Sequence, residues 1–405
     1  MSRRYTELFN ELIKNQEKKR LRRVRKLIDG PTSVETVVDG KPTLAFCSND
    51  YLGFANHPAL KESLIDGIKK CGAGSGASHL ISGHNVTHNN FENKFAHIFR
   101  NIVGECQSLL FSTGYMANLA VITSLTSSFS ENQKITIFSE ELNHASLIDG
   151  IRLAKQQNNV KVVIYKHKNL EVLESLILQD ESKFRLIVTD GVFSMDGDLA
   201  PIPELVCLAK KHDILVLVDD AHGFGVLGEQ GCGILDYYNF ESGDALSERL
   251  IYLGTLGKAA GVSGAFVVAS PSIIEWIIQQ GRSYIYTTAA PPFIAYALTE
   301  NLDLILANER RFKLKKNIRY FKRLMRPSNW DLLPSDTAIQ PLILGDNDTA
   351  LMVDEFLLSK GIWVPAIRPP TVPEGASRLR VTLSAAHSFE HINRLVSALN
   401  EFTKR

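Results

Sequence analysis

Three short apolar runs, each ending in a polar cluster, constrain this chain more than any other feature. Leu186–Thr189 (LIVT) leads into Asp190-Gly191-Val192-Phe193-Ser194. Ile214–Val218 (ILVLV) leads into Asp219-Asp220-Ala221-His222-Gly223, and Leu250–Leu253 (LIYL) into Gly254-Thr255-Leu256-Gly257-Lys258. Unbroken β-branched runs of this length read as strands buried on both faces. PIPELVCLAKKHD, between the first two, reads as a helix, so the pattern is βαβ with a mostly parallel sheet covered by helices. The expected architecture is α/β. A large domain spans 56–290, a smaller α/β C-terminal domain 291–405, and an N-terminal helix-and-strand segment 1–55. Helices are predicted over Tyr5–Lys26, in one long stretch from Pro291-Pro292 to about Arg323, and over Phe389–Phe402. Asp39-Gly40 breaks a strand pair in VVDGKPTLAFCSNDYLG.

In α/β sheets the strand ends collect ligand-binding groups. Here a carboxylate, an imidazole and a lysine converge on one sheet edge. That set suits pyridoxal phosphate (PLP). Lys258 forms the Schiff base, Asp219 keeps the pyridine nitrogen protonated, and His222 lies near the phenolic oxygen. Taken singly, Asp219 serves equally well as a strand-end turn former. A lone lysine is usually solvated, but GTLGKAAGVSGAF surrounds Lys258 with few other charges.

CQSLLFSTGYMANLAVITSL reads as strand, turn and a helix opening near Tyr115, whose N-terminus is an anion site for the cofactor phosphate. An ordinary capped helix has the same signature. His144 follows a strand (ITIF) at the head of another helix, placed either to stack on the pyridine ring or to face water.

Composition narrows the alternatives. With 44% hydrophobic residues, 22% charged and a net charge of +1, the chain has no global pull toward nucleic acid or an anionic membrane. The segment MSRRYTELFNELIKNQEKKR lacks an apolar signal core, and no run approaches the ~18 apolar residues of a membrane span. Five scattered cysteines without a Cys-x-x-Cys argue against disulfides and thiolate metal sites, which points to a reduced, cytoplasmic setting. His84 and His88 stand four apart, but Asn follows His84 and no third ligand is evident, so no metal is expected. In the run from Lys18 to Lys26, seven of nine residues are cationic. It reads as a solvated helix face, or as a landing strip for an acidic carrier or the phosphates of coenzyme A.

The motifs SNDYLG, GSGASHLISGH, NHASLIDG, TDGVFSMDGDLAPI, VDDAHGFGVLG, TLGKAAGVSGAF and AIRPPTVPEGASRLRVTLSAAH together resemble the α-oxoamine synthases, a branch of the fold-type I PLP enzymes. The resemblance runs from about Arg22 to the C-terminal helix. It implies Lys258 as imine lysine and acid/base, Asp219 at the pyridine nitrogen, His222 and Ser194 at the phenolic oxygen, and His144 on the ring. Gly114, Tyr115 and Thr255 would take the phosphate end. Arg380 would hold the amino-acid carboxylate, with Arg22, Asn49, Thr371, Arg368 and His144 at the substrate. The tail IRPPTVP is similar to members that join L-alanine to a pimeloyl thioester on a carrier protein or coenzyme A. A homodimer is implied, with Thr287 or Thr288 a phosphate contact across its interface. Other readings stay open: a synthase with another acyl donor or amino acid, such as a glycine C-acetyltransferase, and a non-catalytic regulatory subunit. An aminotransferase leaves the IRPPTVP tail unexplained.

Overall fold

A computed structural model describes residues 3–127, 133–157, 160–241, 246–328 and 330–403. The chain divides into two compact units. One comprises residues 1–51, 195–197 and 313–405; the other comprises 52–194 and 198–312.

The second unit holds a seven-stranded sheet in the order Gln107–Phe111, Ala265–Ala269, Leu250–Thr255, Leu215–Asp219, Phe184–Asp190, Ile135–Glu140, Val160–Tyr165. Ala265–Ala269 pairs antiparallel with both its neighbours, and the remaining pairs are parallel. The three apolar runs of the sequence are thus adjacent central strands. Every residue of Ile135–Glu140, Leu250–Thr255 and Ala265–Ala269 is buried, as strands covered on both faces require.

The helix Gly114–Thr126 is apolar nearly all round because it is packed nearly all round. Ala117, Val121 and Ile122 are fully buried among Ile137, Leu186, Val188, Leu217, Ile251 and Val267. A fully buried Val or Ile side chain of this kind contributes roughly 1.5–3 kcal/mol on leaving water. That rigid slab is what the sheet edge is mounted on.

The first unit carries two four-stranded sheets. One is ordered Ile28–Asp29, Glu35–Val38, Lys41–Ala45, Ile362–Trp363, and the other Asp331–Leu332, Ile339–Gly345, Ser377–Thr382, Ala366–Ile367. The Asp39-Gly40 turn lies where expected, between Glu35–Val38 and Lys41–Ala45. The C-terminal helix spans Phe389–Phe402, capped by Ser388.

Two helix expectations are corrected. The first helix is Arg3–Lys18, not Tyr5–Lys26. It closes with Arg20 N–H to Glu17 O at 2.9 Å and Leu21 N–H to Gln16 O at 2.8 Å, with Arg20 left-handed at φ 56°. This is a Schellman closure with arginine where glycine is usual. The basic run therefore leaves the helix at once and is not a helix face. The stretch after Pro291-Pro292 is three helices, Pro292–Glu300, Leu302–Leu306 and Asn308–Met325. Asn301 breaks the first from the second by donating its amide to Ala297 O (2.9 Å) and Ser63 Oγ (2.8 Å).

No helix among the described residues is long and apolar enough to cross a membrane. All five cysteines are free thiols.

Candidate active site

Asp219 ends its strand opposite Asp190 on one side and Leu253 on the other. It is 5% exposed, and each carboxylate oxygen has a donor: Asn118 Nδ2 at 2.6 Å and the Ala221 N–H at 3.0 Å. The next residue, Asp220, turns to the other side, as alternation along a strand demands. There it accepts from Ile234 N–H (2.7 Å) and the Tyr252 hydroxyl (2.8 Å), and burial pushes its carboxyl up to about 7. Of the two adjacent acids, Asp219 is therefore the one joined to the groups around Lys258. Burial, and then the neighbouring Asp219, raise the Asp190 carboxyl well above the usual range, while Lys258 pulls it down.

Lys258 is half-buried in the loop after Leu250–Thr255, closed by Leu256 N–H to Gly264 O and Gly261 N–H to Lys258 O, both 2.9 Å. Ala259 and Ala260 beside it are buried, which holds the loop down. Ser194 and His222 are also half-buried, on the loops that follow their strands.

At the other end of the group lies the first turn of Gly114–Thr126. Thr113 caps it, accepting the Met116 N–H at 3.2 Å. The Gly114 and Tyr115 N–H groups belong to the first turn, outside the intrahelical ladder. A Cβ on Gly114 would stand 2.7 Å from Thr255 Cγ2, so only glycine lets that strand end lie against the helix start. The Thr255 hydroxyl donates to Ala221 O (3.1 Å), and the Tyr115 hydroxyl to Asp149 (2.7 Å).

His144 is exposed but oriented. Its backbone N–H donates to Asp190 (3.0 Å), and its ring Nδ1 meets Ser146 Oγ (2.7 Å) and the Ser146 backbone N–H (3.2 Å). Partial burial of the ring, in a residue that keeps part of its surface open, lowers its basicity, with help from Lys258, against the opposing pull of Asp219. These groups fit PLP: a buried carboxylate for the pyridine nitrogen, a lysine nearby, an imidazole held by its neighbours, and a side-chain-free helix start for the phosphate.

Beside the site, His167 is clamped between two acids, Nδ1 to Glu140 (2.6 Å) and Nε2 to Asp198 (2.8 Å). Burial lowers its basicity, but Asp198 and Glu140 outweigh this and raise it to about 9. Its ring also packs edge-on against Phe193, next to Ser194 (centroids 4.5 Å apart).

Apart from His144, the substrate candidates lie in the first unit: Arg380 with Asn49, Arg368 with Thr371, and Arg22 beside Glu17. Arg380 is buried and donates to Asn49 Oδ1 (3.2 Å) and Thr382 Oγ1 (3.1 Å), while Tyr51 OH reaches the same Asn49 oxygen at 3.1 Å. Arg368 and Thr371 share a turn, Thr371 N–H to Arg368 O at 3.1 Å, and Arg368 donates to the Arg20 carbonyl. Arg22 pairs with Glu17. Thr287 and Thr288 follow the short helix Arg282–Ile285.

Sequence reasoning missed Asn118, Ser146 and Asp190. Asn118 had a signal: one amide inside an otherwise apolar helix needs a buried partner. Ser146 had none beyond its place after His144. The third imidazole thought absent beside His84 and His88 is His79, the ligand atoms of the three lying within 4.8 Å of one another. Both His88 nitrogens are engaged with backbone, with Asn85 N–H at 2.9 Å and Ala290 O at 2.7 Å.

Residues 41–399 match the family described as aminotransferase class I and II. An 8-amino-7-oxononanoate synthase of Janthinobacterium sp. is 48% identical over 388 residues, 95% of each chain. A structure of SPT with PLP as internal aldimine superposes with TM-score 0.88 at 28% identity, covering 98% of both chains. The crystal structure of 8-amino-7-oxononanoate synthase from Francisella tularensis matches with TM-score 0.73 at 30% identity, over 89% of this chain and 98% of that one. With its strand-end lysine and carboxylate in place, this chain belongs to the PLP-dependent aminotransferase class I and II family, among the 8-amino-7-oxononanoate synthases.

Proposed function

We propose that this protein joins L-alanine to a pimeloyl thioester, releasing CO2 and the carrier thiol and giving 8-amino-7-oxononanoate for biotin synthesis. The buried, doubly hydrogen-bonded Asp219, whose charge acts together with that of Lys258 on His144 and Asp190, is the observation that carries the reading, in a chain 48% identical to a synthase of that name.

Asp219 would hold a proton on the pyridine nitrogen of bound PLP. The Gly114 and Tyr115 N–H groups and the Thr255 hydroxyl, turned from Ala221 O, would hold the phosphate, with His222 and Ser194 at the phenolic oxygen. Bound in this way, PLP would supply a sink for the electron pair left at the amino acid's Cα. Arg380 binds the alanine carboxylate, and Asn49 steadies the guanidinium. Lys258 Nζ takes the Cα proton, so that Cα bonds to the thioester carbonyl carbon as the C–S bond breaks. After the carboxylate carbon leaves as CO2, Lys258 returns a proton to Cα. His144 covers the ring, while Arg22, Arg368 and Thr371 line the path of the acyl group.

The enzyme works as a homodimer, with Thr287 or Thr288 touching the neighbouring subunit's phosphate, in the cytoplasm. The acyl group arrives on a carrier protein or coenzyme A, met by the basic run Lys18–Lys26.

The test is direct. Purified enzyme with PLP and either L-alanine or glycine is given pimeloyl and acetyl thioesters, on coenzyme A and on a carrier protein, while thiol and product mass are followed. Pimeloyl-dependent thiol release with the product mass is expected. Preference for glycine with an acetyl donor would make it a different α-oxoamine synthase, and no turnover with any pair would leave a non-catalytic homologue.

A further inference from the structure

The ring nitrogen of His144 that carries its proton is decided by atoms that never touch the substrate. A carboxylate oxygen only accepts, so the Asn118 atom 2.6 Å from Asp219 must be the amide nitrogen. The same nitrogen lies 2.8 Å from Ser146 Oγ, and its two hydrogens serve one partner each. Ser146 Oγ therefore accepts from Asn118, and its own proton is left for His144 Nδ1 at 2.7 Å. The backbone N–H of Ser146 is aimed at that nitrogen too, at 3.2 Å, and a backbone donor cannot be reversed. Two donors on Nδ1 require a lone pair there.

We propose that Asn118 and Ser146 are positioning residues that fix His144 as the neutral tautomer with its proton on Nε2. The inference rests on the placement of His144 over the PLP ring proposed above. Asn118 is fully buried and Ser146 nearly so, which gives the chain Asp219–Asn118–Ser146–His144 little freedom to rearrange. Protonating the ring would put a hydrogen on Nδ1 against the Ser146 N–H. The surrounding charges are mixed, Asp219 and Asp149 favouring an imidazolium and Lys258 opposing it, while Asp190 is engaged by the backbone N–H of His144. The consequence is chemical. The ring's remaining nitrogen is a donor, suited to a carboxylate or carbonyl oxygen of the reactants. A neutral imidazole also avoids stacking a second cation on a pyridinium that Asp219 keeps charged. The carboxylate and the stacking ring are thus set by one hydrogen-bonded chain.

Nitrogen-15 histidine labelling tests this without turnover. In cofactor-free wild-type protein, the His144 resonances, assigned by their loss in His144→Gln, should show Nδ1 as a bare ring nitrogen and Nε2 as N–H. Ser146→Ala, which leaves only the longer backbone N–H on Nδ1, should move both shifts part of the way toward the average of the two tautomers, and Ser146→Thr, which keeps the hydroxyl, should restore them. A protonated Nδ1 in the wild type, or unchanged shifts in Ser146→Ala, would overturn the inference. The wild-type spectrum alone decides if the variants fold poorly. Borohydride fixation after PLP is added back to the same preparations separates the two readings. Label on Lys258 with the wrong tautomer sinks only the relay, and absence of label sinks the cofactor placement.

Discussion

Asp219 is 5% exposed, ends a strand buried on both faces, and has a donor on each oxygen. Arg22 lies on irregular chain past the first helix, exposed, and meets Glu17, which is exposed as well. The same contrast runs through the two sets. Asn118, Asp190 and Thr255 are buried on the second unit's sheet and helices, whereas Thr371 and the basic run from Lys19 onward lie on irregular chain that is mostly exposed. Arg380 is the exception, buried on its strand and braced by Asn49 and Thr382. Groups that tune a cofactor act through fixed electrostatics, which are strongest where water is excluded and nothing must reorganise. Groups that select an acyl chain and its carrier can sit on loops, where substitutions cost the fold little.

If that division is right, the largest loss should come from the sheet edge. Lys258→Ala should bind PLP without a covalent link and lose at least about 10⁴-fold in turnover, because the base and the attachment vanish together. Borohydride labelling followed by peptide mapping checks it; label on any other lysine would refute the assignment. Asp219→Asn should keep the fold and lose roughly 10²–10³-fold, the effect of removing one charge-stabilising contact. Turnover near that of the wild type would dissolve the contrast at its centre.

A smaller effect is expected at His167, which steadies the loop before Ser194 rather than touching the reactants. Its folded basicity, raised to about 9 by Asp198 and Glu140, exceeds its ordinary 6.5. The charged form is thus favoured by folding. Its contribution is complete below about 6.5 and fades as pH rises through about 9. Melting temperatures across that window should decline more steeply for wild type than for His167→Gln, and parallel curves would show the clamp to be inert.

The smallest effect belongs to the other region. Arg20, Arg22 and Lys26 already face Asp348, Glu17 and Asp39. Neutralising Lys18, Lys19, Arg23 and Arg25 should therefore raise KM for a carrier-bound pimeloyl group only a few-fold, at low salt, since exposed charges act over about one Debye length, ~8–10 Å. Arg22→Ala should instead slow small pimeloyl thioesters at any ionic strength. Identical salt profiles for wild type and the four-charge variant would reduce the run to solvated chain.

What could be read directly from the residues was whatever depends on short stretches. LIVT, ILVLV and LIYL announced buried parallel strands because an uninterrupted β-branched run is stable only with both faces covered. The places of Asp219 and Lys258 followed from the ends of those runs, and a helix opening near Tyr115 from the turn after Gln107–Phe111. The first helix was extended too far because nothing local marks Arg20 as left-handed; the closing hydrogen bonds at Gln16 and Glu17 do.

Tertiary structure alone decided which atoms separated in sequence would share a proton or a charge. Asn118 meets Asp219 across 101 positions, and His167 meets Asp198 across 31. A strand's apolar pattern fixes where a side chain stands and which way it faces. Whether a buried amide, hydroxyl or imidazole finds its partner there depends on packing between elements, which the order of residues along the chain does not encode locally.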